Sequence, residues 1–470
     1  MIRRVAGRRI TFRPGATAAL ILSLAVSCRE AEDELAPPSV VLISLDTLRQ
    51  DHCGFHGYGR DTTPFLDSLA EDSLVFDRAY TTASWTLIAH MSMFTGLFPG
   101  QHRVMVQDAA LTEAVPTLPQ QLADAGAVCV GVHYPGWTDA KFGFGRGFEE
   151  YPAAKSVVEA EERLADLLPR LTDRWGFLFV HLFDIHSGSV NRPGSRIYDV
   201  PAPYDTLFDA QAPELLTEID AKEAFYTTAE DFTPRMNEAV VALYDGGIRL
   251  VDDRLAAWFA EWREAGLLDN AIVVITSDHG EGLAQRTSTF GGHGEFYEEG
   301  LRVPLMIHAT PKAKQWLARK RDVEPSALVG RRSELVSHVD ILPTVLDALD
   351  LAAPIEFPGH SLLRTVPEDR FVHAQRVCRS AVYRGSEKAV YFASGEVASY
   401  VDLDRDPAGA GESRPEDAEG LARAEQLVFD ALAHLNSLPS HGGATKNGGL
   451  TEQEREALKS LGYGPELDGR

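Results

Sequence analysis

The chain has 470 residues, is 44% hydrophobic, and carries 45 Lys+Arg against 69 Asp+Glu for a formal net charge of −24. That length and apolar content bury a full core, one large domain plus a smaller one, and exclude a disordered chain. The acidic balance repels polyanions and excludes nucleic-acid binding.

Arg3, Arg4, Arg8, Arg9 and Arg13 open the chain, an apolar run follows from Ala16 to Val26, and Ser27-Cys28 comes next. This is the order of a bacterial export signal, and the run is shorter than the roughly 20 residues that span a bilayer. Residues 1–28 are therefore expected to be an export signal with lipidation at Cys28, giving a periplasmic or membrane-anchored lipoprotein; simple secretion is the alternative. Residues 29–38 are acidic, end in Pro37-Pro38 and read as a linker. Cys53, Cys129 and Cys378 have no Cys-x-x-Cys spacing and read as small buried hydrophobes.

Val40-Val41-Leu42-Ile43 predicts a buried strand, as do the runs at 127–132, 177–183, 271–276 and 303–307. Helical stretches separate them; in one, Ile248, Val251, Leu255, Trp258, Phe259 and Trp262 share a face and Gly266 marks the stop. Such alternation predicts an α/β fold with a mostly parallel sheet covered by helices on both faces, whose ligands bind beyond the carboxyl ends of the strands. Residues 39–375 are assigned to this catalytic domain. A loop-rich insertion at 187–234 is expected to overhang the strand ends. Residues 376–470 are expected to form a small α+β subdomain, with strands at 380–392 and 399–403 and a helix at 416–438.

Asp46 ends the first strand and Asp278-His279 ends the strand at 272–277, so three metal-ligating side chains converge on one sheet edge. Carboxylate and imidazole donors suit zinc or manganese. Helix capping by Asp46 and a tight turn at Asp278-His279-Gly280 are the alternatives. Between these segments, Thr86 opens a short apolar helix that stops at Gly96. It either caps that helix or, beside a divalent cation, becomes a nucleophile.

These segments, with Asp61-Thr62-Thr63-Pro64, Thr95-Gly96-Leu97-Phe98-Pro99, Gly292-His293-Gly294, Arg302-Val303-Pro304-Leu305 and Leu458 to Tyr463, resemble the sulfatase family of the alkaline phosphatase superfamily. The likeness runs from about Ser39 to Tyr463. It implies one divalent metal ion, Zn, Mn or Ca, held by Asp46, Thr86, Asp278 and His279, and an anionic ester substrate. The family's Cys/Ser-x-Pro-x-Arg, whose first residue becomes formylglycine, is replaced by Thr86, Ile88 and His90, so no formylglycine is expected. The set instead resembles the phosphoethanolamine transferases and lipoteichoic acid synthases of the same superfamily. That resemblance implies attack by Thr86 on phosphorus, with phosphoesters and phosphonates favoured over sulfate esters. His186 and His293 are the candidates for protonating the leaving group and binding substrate oxygens; His90 is a further substrate-binding candidate and His181 a weaker one. Asp184 is not expected to build a second metal site, and Arg49 and Arg302 are expected to hold loops together. The competing readings are a sulfuric ester hydrolase using another nucleophile or water, a phosphotransferase, and an inactive ligand-binding homologue.

Overall fold

The computed structural model describes residues 36–172, 174–188, 197–217, 233–283, 296–441 and 444–446. The expected export signal, Cys28 and most of the expected linker lie outside them. Among the described residues no helix is long and apolar enough to cross a membrane.

Strands are numbered in chain order. β1 (Ser39–Leu45), β2 (Ser73–Tyr80), β4 (Val128–Val132), β5 (Gly176–Leu182), β6 (Ala271–Thr276), β7 (Leu305–Ala309) and β8 (Gly330–Ser337) form one sheet in the order β4-β5-β1-β6-β7-β2-β8. The short β3 (Ala109–Ala110) pairs with β13 (Thr445–Lys446). β4, β5, β1 and β6 are parallel neighbours, β2 pairs parallel with β8, and β7 runs antiparallel to both β6 and β2. A parallel connection needs a crossover that returns to the starting edge, usually a helix. Between β6 and β7 the described chain holds only the four-residue helix Glu298–Leu301, and β7 turns back instead.

All seven residues of β1 are buried, as a strand covered on both faces requires. Its alternation sorts the two faces. Val41, Ile43 and Leu45 join Val130, Val180 and Val273 under the helix Pro234–Glu264, whose Ile248, Val251, Leu255, Trp258, Phe259 and Trp262 are all core. On the opposite face lies the helix Thr86–Thr95, buried along its whole length, with Phe94 packing edge-on against Phe179 of β5 at 4.9 Å.

β9 (Val372–Gln375), β10 (Arg379–Arg384), β11 (Glu387–Phe392) and β12 (Val397–Asp402) make a second, antiparallel sheet. β9 belongs to it, so this unit takes in residues ahead of the expected start at 376. One face carries the helix Ala418–Ser437 through Leu427, Val428 and Ala431. The other packs Val372, Ala381 and Tyr383 against Tyr80 and Leu335 of the central sheet.

In the 187–234 stretch, the described residues 197–217 contain only the turn Tyr204–Thr206 and the helix Ala212–Leu215. Ile197, Tyr198 and Val200 are buried in the core under the long helix, with the Tyr198 ring 5.7 Å from that of Tyr244. Cys53 and Cys129 are buried as expected, whereas Cys378 is exposed at the turn between β9 and β10.

Candidate functional site

Ser44 of β1 is level with His181 of β5 and Thr276 of β6, so the carboxyl ends of three adjacent parallel strands deliver Asp46, His181 and Asp278-His279 to one edge. The helix Thr86–Thr95 brings its N-terminus to the same place. Trp85, in extended backbone, holds the N-cap position, and Thr86 is the first helical residue. The Thr86 hydroxyl faces Asp46 Oδ2 at 3.5 Å and His279 Nε2 at 3.3 Å. All of Asp46, Thr86, Asp278 and His279 are buried.

The donor atoms of Asp46, Asp278 and His279 lie within 4.8 Å of one another, and those of His90, His181 and Asp278 form an overlapping group of the same tightness. The first trio fits a divalent cation. Asp46 Oδ1 and Asp278 Oδ2 are buried without a hydrogen-bond partner among the described residues, a cost that a cation removes. His279 Nδ1 faces its neighbour's carbonyl, Gly280 O, at 2.9 Å. That bond places the proton on Nδ1 and leaves the Nε2 lone pair directed at the cluster, as a metal-ligating imidazole requires. Gly280 admits no side chain, since a Cβ there would stand 1.8 Å from Glu299 O.

The electrostatics are those of two carboxylates confined together. Burial and the facing Asp278 raise the Asp46 carboxyl well above the ordinary range. Burial also works against ionisation of Asp278, but the His279, His90 and His181 imidazoles outweigh it and hold that carboxyl below the ordinary range. Thr47 N–H donates to Asp278 Oδ1 at 3.2 Å and His279 N–H donates to the same oxygen at 2.8 Å.

Around this cluster, His90 takes a place behind Thr86. Its Nδ1 donates to Thr86 O at 2.9 Å, one turn back, and Nε2 accepts from Ser44 Oγ at 2.9 Å. Burial, then His181, lowers its pKa to about 3, which keeps the ring neutral. Both ring nitrogens of His90, expected from the sequence to bind substrate, are thus engaged inside the core. His181, the weaker candidate, lies beside it. Its Nε2 donates to Asp46 Oδ2 at 3.1 Å and its ring meets His90 edge-on at 4.5 Å. A histidine in an otherwise apolar, fully buried strand was the available signal.

Glu281 is a buried carboxylate that motif reading passed over. Its Oε2 accepts the Ser187 N–H at 3.2 Å and its carbonyl accepts from Arg49 Nη1 at 3.1 Å. His186 therefore sits one residue from a Glu281 contact; its ring stacks on Phe183 at 4.0 Å and its Nδ1 lies 2.7 Å from Ser187 O. His293 lies outside the described residues. Asp184 turns to the start of the helix Val157–Leu167, accepting Val157 N–H at 3.0 Å, and burial pushes its carboxyl up to about 6. Arg49 pairs through two nitrogens with Asp51, at 2.9 and 2.6 Å, and Arg302 donates to Asp77 O.

Residues 38–351 match the Sulfatase family model. The chain is 23% identical to an arylsulfatase of Clostridium perfringens over 79% of its own length and 89% of that protein's. It is 24% identical to the Delta 4,5-hexuronate-2-O-sulfatase of Bacteroides thetaiotaomicron over 72% and 74%. The fold matches the phosphonate monoester hydrolase of Agrobacterium radiobacter with a TM-score of 0.64 at 18% identity, covering 88% of this chain and 98% of that one. With the family model spanning most of the central-sheet region, the chain belongs to the sulfatase family and is a hydrolase of sulfuric or phosphoric esters.

Proposed function

We propose that the chain is an exported, metal-dependent hydrolase in which Thr86 is the nucleophile and phosphoesters, phosphonates included, are preferred over sulfate esters. The observation that carries this reading is the Thr86 hydroxyl, buried at the helix N-terminus, which faces Asp46 Oδ2 and His279 Nε2 within 3.5 Å. Export with lipidation at Cys28 is part of the proposal and rests on the order of the first 28 residues.

Asp46, Asp278 and His279, with Thr86 Oγ1, would hold one divalent cation; Zn or Mn is favoured over Ca because an imidazole stands among the donors. When bound, such an ion lowers the pKa of the threonine hydroxyl and neutralises charge on a nonbridging oxygen of the ester. Thr86 Oγ1 would pass its proton to Asp46 Oδ2, the carboxylate it faces, and attack phosphorus, and the new Oγ1–P bond forms as the bond to the leaving oxygen breaks. His186 or His293 supplies the proton the leaving oxygen takes. Water next attacks phosphorus and returns a proton to that imidazole, and as the Oγ1–P bond breaks Oγ1 takes its proton back from Asp46. His90, held neutral, keeps the Thr86 carbonyl and the helix turn in place throughout.

The chemistry of the nucleophile separates phosphorus from sulfur. A sulfated formylglycine expels sulfate by elimination through its second hydroxyl; a sulfated threonine has no such hydroxyl and depends on direct hydrolysis. Phosphothreonine needs only in-line attack by water. Structural neighbours include phosphonate monoester hydrolases from Agrobacterium radiobacter and Silicibacter pomeroyi. A second reading, sulfate ester hydrolysis by another nucleophile, is favoured by the relatives named as sulfatases and by a neighbour bound to D-glucosamine-2-N,6-O-disulfate. Acid quenching during aryl phosphate turnover, followed by peptide mass spectrometry, tests the first reading. It expects a phosphoryl group on the Thr86 peptide; turnover that leaves that peptide unmodified at every time point contradicts it.

A further inference from the structure

The chain leaves β1 at Asp46 through Thr47, which has φ 58, a left-handed backbone that a β-branched residue rarely adopts. Strain of this kind persists only where the surroundings hold it. Here the hold comes from Tyr244, a residue distant in sequence on the helix Pro234–Glu264. Its hydroxyl donates to Thr47 O at 2.7 Å and accepts the Arg49 N–H at 2.9 Å. On its other side Thr47 donates its own N–H to Asp278 Oδ1 at 3.2 Å. Tyr244 is fully buried, with the His52 ring edge-on at 5.1 Å and the Tyr198 ring at 5.7 Å, so the ring has no room to swing.

We propose that Tyr244 is a positioning residue for the Asp46–Asp278 carboxylate pair: its hydroxyl locks Thr47 in the left-handed turn that makes the two carboxylates face each other. This rests on the reading that those carboxylates hold a divalent cation. Without the hydroxyl, Thr47 O and the Arg49 N–H lose their partner inside the core, and Thr47 relaxes toward negative φ. Asp46, one bond earlier, turns away from Asp278 as it does so. The ordinary alternative is a buried tyrosine that satisfies two backbone groups and affects stability alone.

Tyr244→Phe removes one oxygen and separates the two. Tyr58→Phe is the control: its hydroxyl donates to Asp245 Oδ2 at 2.6 Å, beside the same helix segment but away from Thr47. On the full chain, Mn2+ affinity is measured by calorimetry, with kcat and KM on an aryl phosphonate and the thermal midpoint. Tyr244→Phe is expected to bind Mn2+ about tenfold or more weakly and to lose kcat by a similar factor, with KM changed little. Tyr58→Phe is expected to lower the midpoint while keeping Mn2+ affinity. In the Tyr244→Phe background, Thr47→Gly reaches the left-handed turn without a Cβ clash and is expected to recover part of the affinity. Wild-type affinity and kcat in Tyr244→Phe would overturn the proposal, as would an equal loss in Tyr58→Phe or a double variant no better than the single one. A wild-type chain that binds no Mn2+ would overturn the metal reading itself, and this proposal with it.

Discussion

Asp46, Thr86 and His279 meet because each lies at or just beyond an element's end: past β1, at the start of a helix, and three residues past β6. Convergence of that sort is legible in a sequence, since parallel strands share one carboxyl edge however far apart they lie in the chain. The side of a helix on which a residue falls is less legible. His90 reads as a ligand-facing imidazole beside Thr86, but the i, i+4 spacing turns it back onto the Thr86 carbonyl. Glu281 and Tyr244 carry no motif, because their relation to the site exists only once the β6 loop and the long helix are folded against β1. Asp46 gives a prediction at this scale. Burial and Asp278 oppose its ionisation, so the site is built against stability for the sake of binding. Asp46→Asn is expected to raise the thermal midpoint of the metal-free protein and to weaken Mn2+ binding by about 10–100-fold. A lowered midpoint together with unchanged Mn2+ affinity would remove Asp46 from the ligand set.

The elements that hold the site were legible by period and less so by partner. β1, β5 and β6 announce themselves as continuous apolar runs, and the long helix by its aromatic face. The reversal of β7 could not be read, because an apolar run of five has the same composition in either direction. Nor could the clamp that fixes the second sheet. Lys388 of β11, fully buried, lies 3.1 Å from Glu298 and 2.8 Å from Glu412, and the Tyr80 and Tyr383 hydroxyls donate to Glu298 from the two sheets. Removing the cation leaves two buried carboxylates without it. Lys388→Met is therefore expected to cost about 3–5 kcal/mol, read as a lower urea midpoint. A loss well under 1 kcal/mol would mean that water reaches the cluster.

Across the whole molecule, alternation of strands and helices was enough to read an α/β fold, while the acidic balance says nothing of how the fold responds to pH. Acid sensitivity follows from buried histidines instead. His102 is fully buried: its Nδ1 accepts the Val104 N–H at 3.1 Å, its Nε2 donates to Ser92 Oγ at 3.2 Å, and burial lowers its pKa from 6.5 to about 3. A group whose folded pKa is depressed contributes stability that is present above the unfolded value and lost as pH falls toward the folded one. The urea midpoint is thus expected to fall between pH 6.5 and about 3, at about 1.4 kcal/mol per unit of pH for this residue. His102→Gln, which cannot protonate, is expected to flatten that fall; an unchanged slope would show that His102 reaches solvent.

The most direct test of the account is turnover by wild type and Thr86→Ala, each supplied with Zn2+ or Mn2+, on matched aryl phosphate, phosphonate and sulfate esters. Phosphorus esters are expected to be preferred, with Thr86→Ala lowering their turnover by about 10³-fold or more. A preference for sulfate that survives Thr86→Ala would contradict both the nucleophile and the substrate class assigned to it.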